Sequence, residues 1–225
     1  MYQPVEFRDD AAERAYDHVR RNPLGILVSA GTGLAATHTP MLVDDEAAPT
    51  GLVGHCAIRN EALTSLEDGA RVLAIFPGAH AYVHPSLYHV DRSAPTVNYT
   101  AVHVSGTFHR ATDAELHTIL KRTVAQFESD QRPGSKAWTV ADLASGQYRS
   151  MIRGIIGFRI VADRVEGGYK LSQNKAGDDV RSIEASLAGS GDSNDHAVAQ
   201  EMRATGMIGR TGPSSTDPNV WLGPL

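Results

Sequence analysis

The sequence has a single cysteine, no long apolar run and no excess of basic residues. One cysteine, Cys56, cannot form a disulfide within the chain and excludes a structural zinc site built on several cysteines. No apolar stretch approaches the ~18 residues that a membrane-spanning helix needs. The formal net charge is -5, whereas a nucleic-acid-binding domain usually carries a basic patch. We therefore expect neither a membrane nor a nucleic acid as a partner.

The common nucleotide-binding and hydrolase motifs are missing as well. The sequence contains no GxGxxG, P-loop, HExxH or GxSxG motif, which removes the usual support for Rossmann, Walker NTPase, zincin and α/β-hydrolase folds. Residues 1–21 carry acidic side chains and no apolar stretch, unlike a signal or transit peptide. The expected location is the cytoplasm.

What the chain does have is a series of short, β-prone segments. Residues 10–21 predict a helix, which Pro23 ends because proline disfavours helical geometry in the residue before it. The segments that follow are rich in β-branched residues, are separated by glycine or acidic loops, and are typical of sequential antiparallel strands. They cover residues 24–30, 34–43, 51–57 and 71–78. Between the last two, RNEALTSLEDG predicts about two helical turns closed by Gly69.

The second half of the chain predicts one strong helix and a closing strand. Thr112 and Glu115 have the spacing of a capping box, and apolar residues then recur at helical spacing over 113–129. A long strand at 154–174, interrupted by glycines, would close a barrel. We expect a mainly β fold with helices (α+β).

The length of 225 residues suits one core with a tail. We assign residues 1–187 to a barrel domain. Residues 188–225 begin with a Gly/Ser/Asp-rich stretch, contain a short helix, and are expected to form a tail that docks on a partner subunit.

Histidines are the most suggestive feature, with six of the ten between positions 38 and 103. The segment FPGAHAYVHPSLYHV contains His80, His84 and Tyr88 and is expected to be a loop that follows a buried strand, where reactive groups are often presented. Imidazoles ligate iron or zinc and carry protons. Each of these histidines could equally serve only to bond the backbone.

Two further histidines lie on predicted strands. His55 and Cys56 are adjacent on a strand, so their side chains point to opposite faces of the sheet. If the Cys56 thiol is buried, as free cysteines commonly are, His55 faces a cavity or the solvent. This is the geometry expected of an axial ligand to a metal. In the strand 96–110, His103 lies on the face opposite the core. The alternative for His55 is a histidine at the edge of the sheet without a ligand role. The alternative for His103 is a structural histidine that contacts the neighbouring strand.

Many short motifs in register resemble the PaiB-like family of FMN-binding proteins, known as negative transcriptional regulators. The similarity covers residues 1 to about 187 and rests on MYQP, NPLGILVS, ATHTPMLVDD, GHCAIRN, FPGAHAYVHPSLY, PTVNY, AVHVSG, IIGFRI and VEGGYKLSQN. It implies a split β-barrel of the FMN-binding, pyridoxamine-phosphate-oxidase type. It also implies a homodimer with the cofactor at the subunit interface.

The departures from this family pattern favour a different cofactor. Where the family usually has GHLARANPQW, HAYISPSWY and PTWNY, this chain has GHCAIRNEAL, HAYVHPSLY and PTVNY. Bulky indoles are lost and His84 is gained, which enlarges the predicted pocket. In this respect the chain is similar to the haem-dependent piperazate synthases, a branch of the family that cyclises N5-hydroxyornithine by forming a nitrogen–nitrogen bond.

The resemblance implies haem b as cofactor, N5-hydroxyornithine as substrate, and specific residue roles. His55 is the first candidate for the metal ligand and His84 the second; His84, Tyr88 and His80 are the candidate catalytic groups. The candidate cofactor-binding residues are His55, Arg59, His103 and Lys170. Of these, Arg59 and Lys170 are the cations expected near the haem propionates or, in an FMN-binding protein, near the FMN phosphate. The alternatives are an FMN-binding protein with a regulatory or flavin redox role, and a cofactor-free interaction protein.

Overall fold

In the computed structural model, the described residues form an antiparallel barrel with helices. These residues are 1, 2, 4, 7–9, 11–30, 33–89, 94–128 and 136–206. The sheet order is β1-β7-β4-β3-β2-β5-β6, and pairing between β7 and β6 closes it. The strands are β1 (Arg8–Asp9), β2 (Leu24–Ser29), β3 (Ala35–Val43), β4 (Gly51–Ala57), β5 (Arg71–Val83), β6 (Thr96–Arg110) and β7 (Ile155–Lys170). The predicted α+β barrel is confirmed.

Helices flank the strands. They are α1 (Ala12–Arg21), α2 (Glu61–Thr64), α3 (Asp113–Glu128), α4 (Ser145–Ile152), α5 (Gly177–Ala188) and α6 (Ser193–Ala204), with 3₁₀ turns at Pro85–Leu87 and Val140–Asp142. Among the residues described, no helix is both long and apolar enough to cross a membrane.

The chain divides into two compact units. The first unit comprises residues 1–10, 77–101 and 167–225, and the second comprises 11–76 and 102–166. Strands β5, β6 and β7 each contribute residues to both.

The core of the second unit follows from strand alternation. In β5, Val72, Ala74 and Phe76 are buried, and the residues between them are more exposed. Helix α1 adds Tyr16 to this core, and its buried His18 is hydrogen-bonded through Nε2 to the carbonyl of Phe76 at 3.0 Å.

The core of the first unit is built largely on α5 and α6. Ile183 and Met202, one from each helix, are fully buried together with Val83 and Leu171. Part of the predicted tail, α6, therefore packs within its own chain. The docking of residues 188–225 on a partner subunit stays a prediction, and residues 207–225 lie outside the described part of the chain.

Strand β5 runs further than its sequence indicates, so the prediction that it ends at residue 78 and is followed by a loop was wrong. Pro77 is exposed and the alternation continues beyond it, with Ala81 and Val83 buried and Tyr82 exposed. A proline that does not interrupt the pairing can remain within a strand. His80 therefore lies on a strand.

The segment after β4 is less helical than expected, because α2 has only four residues. Gly69 does not end this helix. It adopts φ +91°, a left-handed conformation that favours glycine, and its N–H donates to the carbonyl of Phe108 at 2.8 Å in the turn before β5.

The capping box of α3 is confirmed. Glu115 Oε2 accepts from the backbone N–H of Thr112 at 2.7 Å, and Thr112 Oγ1 accepts from the N–H of Glu115 at 3.3 Å. We expect Thr112→Ala to lower the free energy of unfolding by about 1 kcal/mol, because an orphan helix N–H loses its acceptor. Denaturant unfolding measures this loss. Thr118→Ala, in the interior of the same helix, is the control; equal losses would contradict the capping role.

Candidate functional site

Strand β4 positions His55 on the face of the sheet opposite the second-unit core. His55 pairs with Gly157 of β7, and the neighbouring Cys56 points into the core with 7% exposure. His55 itself is half-buried. Burial raises the pKa of the Cys56 thiol to about 11, so this cysteine is an inert core residue. The predicted separation of the two side chains is confirmed.

The His55 ring makes no hydrogen bond within the described residues. Its Nδ1 is buried without a partner, and burial lowers the pKa of the imidazole below its usual value. The ring is therefore neutral at pH 7 and keeps a nitrogen lone pair. A histidine retained for structure normally has a bonded partner.

Other histidines do have such partners. Ring nitrogens are hydrogen-bonded in His18 (to Phe76 O), His84 (Ser86), His89 (Asp179), His109 (Asp68) and His117 (Tyr148). In His84, Nδ1 accepts from the Ser86 N–H at 3.1 Å and caps the 3₁₀ turn. This contrast distinguishes His55 from five of the nine other histidines of the chain.

A cavity of about 320 Å³ lies on the sheet face to which His55 points. One of its walls is Val53, two residues before His55 and therefore on the same face of β4. The lining is Val53, Ala111, Ala114, Glu115, Thr118, Ile119, Arg122 and Arg159. The guanidinium of Arg122 donates to the carbonyl of Val43, so this charged group is already bonded. The cavity is mainly apolar, and its volume lies in the size range of small-molecule pockets.

The remaining second-unit candidates are Arg59 and His103. Arg59 follows β4 and is exposed. His103 is half-buried on β6, as predicted, and burial lowers the pKa of its ring. In the parts of the chain that the structure describes, no group of three or more His, Cys, Asp or Glu residues could hold a metal ion.

The first unit contains the other four predicted residues. His80 and His84 are exposed, whereas Tyr88 is buried. Lys170 Nζ donates to Thr96 Oγ1 at 2.6 Å. The predicted residues are thus divided between units: His55, Arg59 and His103 in the second, the others in the first.

Sequence reasoning missed a polar cluster around Tyr88. Burial, and then the charge of Asp179, raise the pKa of the Tyr88 phenol. Asp179 is buried and accepts from the N–H of His89 at 2.8 Å, while Lys175 Nζ lies 4.9 Å from the centroid of the Tyr88 ring. The motif KLSQN drew attention to Lys170, but nothing in the sequence indicated that Asp179 would reach His89.

Comparison with known proteins identifies relatives along most of the chain. Residues 1–164 match the family described as "Putative FMN-binding domain". The chain is 30% identical over 203 residues to the protease synthase and sporulation protein PAI 2 of Bacillus subtilis, covering 90% of this chain and 96% of that protein. It is 31% identical over 194 residues to an uncharacterized protein of Emericella nidulans, covering 69% and 77%.

Solved structures share the fold at low sequence identity. The FAD- and haem-binding protein of Mycobacterium smegmatis is 16% identical with a TM-score of 0.54, over 72% of this chain and 73% of that one. The flavocytochrome Anf3 of Azotobacter vinelandii is 13% identical with a TM-score of 0.53, over 72% and 69%. With the family match and the B. subtilis relative, these findings establish that the chain belongs to the PaiB-like FMN-binding split-barrel family.

Proposed function

We propose that this protein is a haem-dependent enzyme that cyclises N5-hydroxyornithine to piperazate, with His55 as the iron ligand. The observation that carries the proposal is the His55 ring, which is half-buried, uncharged at neutral pH and not hydrogen-bonded to any described residue. An imidazole with these properties is suited to ligate haem iron. A cytoplasmic homodimer is part of the proposal.

The cavity on the His55 face of β4 suits an apolar ligand with acidic substituents, and it is lined by neighbours of His55 on that face rather than by His55 itself. The cavity on the His55 face has apolar walls and includes Arg159. Arg59 is the cation of the same unit proposed to pair with a propionate. When bound, haem b supplies an open iron position that acts as a Lewis acid toward the hydroxylamine of the substrate.

The reaction balances without an outside oxidant or reductant. A bond forms between the α-nitrogen and N5, the N5–O bond breaks, and the hydroxyl group leaves as water with a proton that the α-amine loses. The protein must accept the amine proton and deliver a proton to the departing hydroxide. His84, His80 and Tyr88, all in the first unit, stay the candidate catalytic groups that the sequence predicts.

The second candidate is an FMN-binding protein with a regulatory or flavin redox role. The family match over residues 1–164 favours it. In that case Arg59 is proposed to bind the phosphate of FMN.

An absorption spectrum distinguishes the two candidates. Protein purified from cells given a haem precursor should show a Soret band that shifts when dithionite is added. Incubation with N5-hydroxyornithine should then yield piperazate, detected by mass spectrometry as the loss of one water. Flavin bands that bleach on reduction would overturn the haem proposal in favour of FMN, and a colourless protein would contradict both.

A further inference from the structure

Among the described residues of the first unit, two polar side-chain atoms are buried with neither a hydrogen bond nor an ion pair. They are Asn98 Nδ2 and Tyr88 Oη. A third buried atom without a hydrogen bond, Glu184 Oε1, is ion-paired with Arg203. Asn98 is fully buried and Tyr88 is 8% exposed. Folded proteins rarely leave such groups unpaired, and an ordered water, an ion or a ligand usually bonds them.

A single turn, residues 172–175, contacts the side chains of both residues. The turn is closed by the N–H of Lys175, which donates to the carbonyl of Ser172 at 3.0 Å. At one end, Ser172 Oγ bonds Asn98 Oδ1 at 3.0 Å, so the amide oxygen is used and the amide nitrogen remains as a donor. At the other end, Lys175 Nζ lies 4.9 Å from the centroid of the Tyr88 ring.

The backbone of this turn is strained. Ser172 adopts φ +67° and is the one non-glycine residue with positive φ in the described ranges. It is also buried, at 3% exposure. A serine persists in this conformation only when its surroundings impose it, and such residues cluster at ligand sites. In this conformation the Ser172 hydroxyl bonds Asn98.

The groups around the turn are mostly donors, with the buried carboxylate of Asp179 as the exception. The Asn98 amide and the Tyr88 hydroxyl can donate, and Lys175 adds an ammonium group. Burial lowers the pKa of Lys175, and the charge of Lys170 lowers it further, while Asp179 opposes this shift. A bound anion would accept from the donors and reduce the repulsion between the two lysines.

We propose that the turn 172–175, together with Asn98 and Tyr88, forms a binding site for a small carboxylate. The amide of Asn98 and the hydroxyl of Tyr88 donate to its oxygens, and Lys175 supplies the compensating charge. The site does not depend on haem at His55. Its test uses acetate as the probe and follows binding alone, so its failure is distinguishable from failure of the proposed enzymatic activity.

Nitrogen-edited NMR tests the site directly. In ¹⁵N-labelled protein, the side-chain amide signal of Asn98 should shift saturably with sodium acetate but not with sodium chloride at equal ionic strength. The signal is assigned by its disappearance in Asn98→Asp. Equal shifts in both salts, or no shift in either, would overturn the proposal.

Tyr88→Phe provides a second test that does not depend on the Asn98 variant folding. The change removes only the unpaired hydroxyl, so the Tm without acetate should be unchanged or higher. Acetate affinity should fall roughly tenfold, the usual consequence of losing one hydrogen bond to a charged ligand. Tyr82→Phe, at an exposed tyrosine of the same unit, is the matched control and should bind acetate as the wild type does.

Either of two results with Tyr88→Phe would refute the site. Acetate affinity equal to that of Tyr82→Phe would show that Oη does not contact the ligand. A lower Tm in the absence of acetate would show that Oη already has a structural partner.

Discussion

A His55→Ala variant is expected to fold normally and to purify without haem. The ring bonds no described residue, so its removal costs no hydrogen bond. Removing the proposed iron ligand should lower haem affinity by more than ~100-fold. This loss is larger than the one expected for a residue that only hydrogen-bonds to a metal ligand. The Soret band of purified protein measures haem content, and circular dichroism with a thermal scan checks the fold.

His38→Ala is the matched control for this variant. His38 is exposed on β3, the strand next to β4, and its change should leave the haem content as in the wild type. If His55→Ala retained haem with an unchanged Soret band, His55 would not be the ligand. His84→Ala would then be expected to lose haem, because His84 is the second proposed ligand.

The parts of the fold that were predictable have their cause in adjacent residues. Strand alternation separated Cys56 from His55 and placed Val102 in the core with His103 opposite, because successive side chains of a strand point to opposite faces. The start of α3 was equally visible, since a capping box is complete within four residues.

The errors arose where a local signal competed with pairing further along the chain. Pro77 and Gly78 are typical of a turn, yet β5 continues through them because Ala81 and Val83 pack into the first-unit core. Helix α5 was missed entirely. Its buried face includes Ile183, which packs against residues far away in sequence.

The candidate sites show the same limit. His55 was identifiable because a period of two residues fixes its face, but its lack of a hydrogen-bond partner is a property of the folded environment. The bond from Ser172 to Asn98 spans 74 positions and that from His89 to Asp179 spans 90. No spacing rule connects residues so far apart, so the polar cluster of the first unit became visible only in the structure.

Gly51→Ala is expected to be the most destabilising of the substitutions considered. A Cβ at position 51 would lie 1.9 Å from the carbonyl oxygen of Ile160 and 3.2 Å from the backbone nitrogen of Ala162. These are backbone atoms of β7, and Gly51 pairs with Val161 of that strand, so no side-chain rotation relieves the contact. Overpacking usually costs about 1–3 kcal/mol, and a clash with backbone should reach or exceed the upper value.

For a chain of this size, such a loss lowers the Tm by roughly 6–12 °C or more. Gly146→Ala is the control, because a Cβ there meets nothing within 4 Å and alanine is favoured over glycine inside α4. Its Tm should stay the same or rise. Equal Tm values for the two variants would contradict the close approach of β4 and β7. Under the proposed function, Gly51→Ala should also release haem at a lower temperature than the wild type, because β4 carries the proposed ligand His55.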